Sequence, residues 1–112
     1  MNTTLVQLSL NYCGLEAEAA DPLIEIVIFT ESALTILSLQ GNFLKKDGIV
    51  RLCDGLPIAK KLEKIILADN QFGEEDEVLE ALSKVIIKNK TLKDYNLQYN
   101  AIREKGNFKA NT

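Results

Sequence analysis

The chain has 112 residues, of which 46% are hydrophobic and 26% charged, and a formal net charge of −3. That length suits one domain with a modest core, and an acidic balance with scattered Lys and Arg argues against nucleic acid as the partner. The absence of histidine excludes Ser-His-Asp and Cys-His nucleophile systems and any histidine-based metal site.

In chain order, Leu5, Leu8 and Leu10 open a period-two segment that predicts a short strand, with Cys13 and Leu15 in the turn beyond it. Leu23, Ile24, Ile26, Val27, Ile28 and Phe29 then fall at helical spacing over an arc wider than one buried stripe requires. Pro22 leaves two starts open: a helix beginning at the proline behind Asp21, or one that follows a loose turn through Ala17 to Ala20. A second strand is expected through Leu34, Leu37 and Leu39, with Asn42 and Leu44 after it. The next helix has Asp47 as its expected N-cap, a stripe of Ile49, Leu52, Cys53 and Leu56, and Pro57 as its stop.

Leu62, Ile65 and Leu67 predict the third strand, followed by Asn70 and Phe72. Glu74, Glu75, Asp76 and Glu77 open a third helix, where carboxylates favour the positive end of the helix dipole, so the run needs no metal to explain it. Val78, Leu79, Leu82, Val85 and Ile86 form that helix's stripe, with Lys84, Lys88 and Lys90 towards its negative end. Leu92, Tyr95 and Leu97 predict a fourth strand with Asn100 and Ile102 behind it. The ten residues past Ile102 are too few for a further helix.

The four segments begin at Leu5, Leu34, Leu62 and Leu92, spaced by 29, 28 and 30 residues, and each reads L-x-x-L-x-L-x-x-N/C-x-L. This pattern resembles the leucine-rich repeat. The long period, and the small residue at Ala19, Gly48 and Gly106, resemble its ribonuclease-inhibitor type; Asp76 departs from that pattern. The resemblance implies an α/β leucine-rich repeat solenoid, a short horseshoe arc with parallel strands on the concave side and helices on the convex side. Residues 1–112 would then be one domain with an incomplete last repeat. Cys13, Asn42, Asn70 and Asn100 should pair otherwise unpaired backbone groups where the chain leaves each strand.

The repeat is a scaffold, so function falls to the positions between the motif residues. Alternation places Gln7, Ser9, Asn11, Ile36, Ser38, Gln40, Lys64, Ile66, Ala68, Asp94, Asn96 and Gln98 on the concave face. Tyr12, Gly41, Asp69 and Tyr99 line the turn edge, and tyrosine is enriched at binding hot spots. These are the expected protein-binding residues. A solenoid buries each repeat against its neighbours, so its ends should be covered by a partner, another copy or further repeats, through Ile24, Ile28 and Phe108.

Lys60, Lys61 and Lys64, with Lys45 and Lys46, form a candidate basic edge that solvated loops also explain. No phosphate-binding glycine loop occurs, and apolar runs as short as Ile26 to Phe29 exclude a membrane-spanning helix. The amino terminus lacks a signal-peptide pattern, and two isolated cysteines suit a reducing compartment. The expectation is a cytoplasmic, non-enzymatic protein-interaction or structural module of a larger assembly, with no cofactor and no membrane insertion. The resemblance also implies two alternatives: an enzyme or GTPase regulator like the ribonuclease inhibitors and Ran GTPase activators, or a cytoskeletal or axonemal repeat protein.

Overall fold

A computed structural model describes residues 4–29 and 32–100. Four three-residue strands, β1 (Gln7–Ser9), β2 (Ile36–Ser38), β3 (Lys64–Ile66) and β4 (Asp94–Asn96), make one parallel sheet in the order β1-β2-β3-β4. Between them run α1 (Ala20–Ile28), α2 (Lys45–Gly55) and α3 (Asp76–Lys88). The register aligns Leu8 with Leu37, Leu37 with Ile65 and Ile65 with Tyr95, as the motif phase requires. Residues on either side of each of these point the other way, because strand side chains alternate. The chain therefore folds as an α/β leucine-rich repeat solenoid, with its core between sheet and helices.

The core is densest in the middle layers. Leu37, Leu39, Ile49, Leu52, Leu62, Ile65 and Leu67 are fully buried, and Phe72 fills the turn beneath β3. Small residues let the helices close up. A Cβ on Gly48 would lie 3.2 Å from the Ala17 Cα, and one on Gly55 would meet the Ile24 side chain at 2.4 Å. Both contacts lie between the first repeat and α2.

Helix starts differ from expectation in one place. α2 begins at Lys45, two residues before Asp47, which sits in the first turn instead of capping it. The reason lies in the neighbouring repeat. Leu44 N–H donates to Asn70 Oδ1 at 3.3 Å and Lys45 N–H to the Asn70 carbonyl at 2.9 Å, so two first-turn donors are already satisfied. α1 follows a 3₁₀ turn at Ala17–Ala19, with Pro22 in the first helical turn, where a missing N–H costs nothing. α2 stops at Gly55, and Pro57 lies inside a 3₁₀ turn, Leu56–Ile58.

The ends also need correction. Ile24 packs against Gly55, so it faces α2 and not the outer flank, and Ile28, one turn on, lines a groove with Ile58. What the first repeat leaves open is its own layer: Leu8, Leu10 and Leu15 are only half-buried, whereas Leu37, Leu39 and Leu44 one repeat later are sealed. At the other end Tyr95 and Leu97 are buried. Ile102, Gly106 and Phe108 lie outside the described residues.

Candidate protein interface

The turn edge rests on the asparagine ladder. Asn42 Nδ2 donates to the carbonyls of Leu10 at 3.0 Å and Leu39 at 2.9 Å, while its Oδ1 accepts from Cys13 and Leu15 N–H, each at 3.0 Å. Asn70 Nδ2 repeats the pattern on Leu39 and Leu67, at 2.8 and 3.2 Å, and Asn100 on Leu67 and Leu97, at 2.9 and 3.1 Å. Each amide thus bridges its own turn and the preceding one. In the first repeat Cys13 Sγ donates to the Asn11 carbonyl of its own turn, at 3.4 Å.

Beside the ladder, Tyr12, Gly41, Asp69 and Tyr99 all adopt left-handed backbone angles, with φ of 55°, 75°, 56° and 61°. Ladder bonds hold the turns there despite a cost of roughly 1–2 kcal/mol at each non-glycine position. The result is a rigid row. Tyr12 is 68% and Tyr99 77% exposed. Tyr12 is nonetheless placed: its ring lies where a Gly41 Cβ would be, and its hydroxyl accepts from Gln40 Nε2 at 3.1 Å.

The concave face is narrower than alternation implies. Ser38 and Ala68 are buried, so neither is available to a partner. Asn11 Oδ1 is already engaged, accepting from Ser38 Oγ at 2.7 Å and from Gln40 N–H at 2.8 Å. Asn96 is similarly turned inward to Gln98 N–H, at 3.1 Å. Strand residues of small repeats crowd the inside of the bend, and their polar atoms close on one another. Gln7, Ser9 and Asp94 are exposed; Ile36, Gln40, Lys64, Ile66 and Gln98 are partly so. Lys64 and Asp94 sit opposite each other and pair at 3.7 Å, leaving the strip neutral.

Two buried ionisable groups lie behind the sheet. Burial raises the Cys53 thiol from its ordinary 9.0 to about 12, with the Asp54 charge adding to the effect. Tyr95, whose hydroxyl finds no hydrogen-bond partner among the described residues, is raised from 10.0 to about 12, chiefly by burial and then by Cys53. Both cysteines are free thiols. Neither buried group is poised to ionise near neutrality, so neither suits acid-base or nucleophilic work.

A second amide latch, not expected from the sequence, joins the loops on the opposite edge. Asn89 Nδ2 donates to the Leu56 carbonyl at 2.8 Å and the Ala59 carbonyl at 2.9 Å, while its Oδ1 accepts from Thr91 and Leu92 N–H at 2.9 and 2.8 Å. Its signal was available: an asparagine three residues before the leucine that opens a repeat. The expected basic edge is split by the fold. Lys45 and Lys46 stand at the start of α2, where Lys46 contacts Glu77 at 3.4 Å and Glu75 at 3.6 Å, while Lys60 and Lys61 stand past its far end.

A parallel sheet whose successive strands are joined by helical returns, with an amide ladder along its turns, defines a repeat scaffold. A family model described as Leucine Rich repeat matches residues 2–23. NACHT, LRR and PYD domains-containing protein 9 of Bos taurus is 29% identical over 101 residues, covering 89% of this chain and 10% of that relative. This chain therefore spans about a tenth of that relative's length. Among solved structures, Leiomodin-1 Actin-Binding Site 2 superposes with a TM-score of 0.79 at 13% identity, over 94% of this chain and 61% of that one, a likeness of fold. In sequence the chain is similar to leucine-rich repeat proteins. Among the described residues no helix is long and apolar enough to cross a membrane.

Proposed function

We propose that residues 1–112 form a single non-enzymatic protein-binding module inside the cell, part of a larger assembly. The observation that carries this reading is the turn edge: two highly exposed tyrosines on a backbone locked by the ladder, beside a neutral strip bearing Ile36 and Ile66. Rigid aromatic anchors lose little entropy on binding, and a strip with Lys64 and Asp94 already paired suits a protein segment more than a phosphate-rich one. An enzyme regulator or a cytoskeletal component would be this same module with a different partner, and the identity of the captured protein separates them.

The test is paired. Tyr12→Ser with Tyr99→Ser, and Ile36→Ser with Ile66→Ser, should leave the melting curve close to that of the parent. Capture of a partner from native extract should fall in both. Capture unchanged in both variants would refute this placement of the interface.

A second reading is favoured by the half-exposed first layer. Leu5 is 41% and Val6 52% exposed, and Leu8, Leu10 and Leu15 lack the cover their counterparts receive. We infer that a further repeat-like layer packs on β1 in the working assembly, which the alignment to one short stretch of a much longer relative supports. Leu8→Glu should disrupt that packing; an assembly indifferent to Leu8→Glu would contradict it.

A further inference from the structure

The edge formed by the loops that enter the strands, opposite the tyrosine row, carries an unusual combination. Ile58, in the 3₁₀ turn after α2, is 58% exposed, and Ile86 and Ile87, in the last turn of α3, are 45% and 66% exposed, an apolar content that a solvated edge does not need. Around them stand Lys60, Lys61, Lys88, Lys90 and Lys93 against Glu63. The α3 dipole accounts for Lys88, in the last turn, but Lys60, Lys61, Lys90 and Lys93 lie outside the helices. Lys60, Lys90 and Lys93 have no carboxylate within ion-pair distance among the described residues.

Two grooves open on this edge. One, of about 460 Å³, has Val27, Ile28, Phe29 and Ile58 as its floor and Lys60 and Lys61 at its rim. The other, of about 410 Å³, has Ile86, Leu92 and Tyr95 as its floor and Lys90 and Lys93 at its rim. The Asn89 latch ties the loop carrying Ile58 and Lys60 to the loop carrying Lys90, so the two lysine pairs keep a fixed relation. Apolar floors with cationic rims, the rims one repeat apart on a braced backbone, are complementary to an acidic segment bearing apolar side chains.

We propose that this edge is a second docking surface, separate from the tyrosine row, for an acidic protein segment that seats apolar side chains in the two grooves. The lysines steer and orient it, and the isoleucines anchor it. The surface holds even if the tyrosine edge binds nothing, because it shares no residue with it.

The experiment selects a random dodecapeptide display library on the intact chain and then measures binding of the enriched peptides by fluorescence anisotropy. Enriched sequences should be acidic with interspersed aliphatic or aromatic residues, and salt should weaken their binding. Lys90→Glu with Lys93→Glu, and separately Ile58→Ser with Ile86→Ser, should each lower affinity at least about tenfold. Those positions are exposed, and the melting curve of each variant checks that it is folded. Tyr12→Ser with Tyr99→Ser should leave affinity unchanged. Enrichment of neutral or basic peptides, or binding indifferent to both edge variants, would overturn the proposal. So would recruitment of the chain to phosphatidylserine vesicles, lost in the lysine variant, with no acidic peptide enriched.

Discussion

Replacing Asn70 by alanine tests the ladder where it is most buried. The side chain is fully enclosed, so water cannot take over its bonds. The loss is uneven. The three carbonyls that Asn70 Nδ2 serves keep other donors: Leu39 O accepts from Asn42 Nδ2, Leu67 O from Asn100 Nδ2 and Ala68 O from Gly41 N–H. Leu44 N–H has no such second acceptor among the described residues; its bond runs to Asn70 Oδ1. One orphaned buried donor costs about 1–3 kcal/mol, and the weakened carbonyl bonds and vacated volume bring the expected loss to roughly 2–4 kcal/mol. For a domain of about a hundred residues that lowers Tm by about 10–20 °C. Asn42→Ala should cost less, because two of the donors it serves, Cys13 and Leu15 N–H, lie in the half-open first repeat where water substitutes. Urea and thermal unfolding followed by circular dichroism give both values. A melting curve for Asn70→Ala superposable on the parent's, or a larger loss for Asn42→Ala, would refute the accounting.

Gly55→Ala should destabilise the parent through its clash with Ile24 but be neutral or stabilising in an Ile24→Ala background; additive effects in that double-mutant cycle would mean Ile24 does not face α2. Unfolded cysteine ionises near 9.0 while folded Cys53 holds its proton to about 12, so its contribution to stability is full below 9 and is lost as pH rises from 9 towards 12. Cys53→Ala should flatten that alkaline decline in pH-dependent unfolding, and an unchanged profile would contradict it. Iodoacetamide at mildly alkaline pH should label exposed Cys13 and spare Cys53 until the chain unfolds, a selectivity that mass spectrometry reads directly.

Much of this architecture is readable from spacing because the repeat imposes one register four times. Leu37, Ile65 and Tyr95 align in the sheet as their motif phase requires, and the asparagines at 42, 70 and 100 bridge the turns as their chemistry implies. What spacing could not reveal is set by neighbours in space. Asp47 has the chemistry of a cap, yet Asn70 from the next repeat satisfies the start of α2 first. Ile24 belongs to an arc wide enough to face either flank, and only the missing side chain of Gly55 shows which. Ser38 alternates onto the concave face but is buried there, because Asn11 reaches across to it. The lysines at 45, 46, 60 and 61 are close in sequence, yet a helix of eleven residues separates the pairs.

The binding role of the tyrosine row is tested most directly by identifying a partner captured by the parent chain and titrating it against Tyr12→Ser with Tyr99→Ser. The expected result is a loss of affinity of at least about tenfold with Tm essentially unchanged, as befits exposed anchors on a rigid edge. Affinity equal to the parent's, in a variant shown to be folded, would contradict the assignment of that edge as the interface.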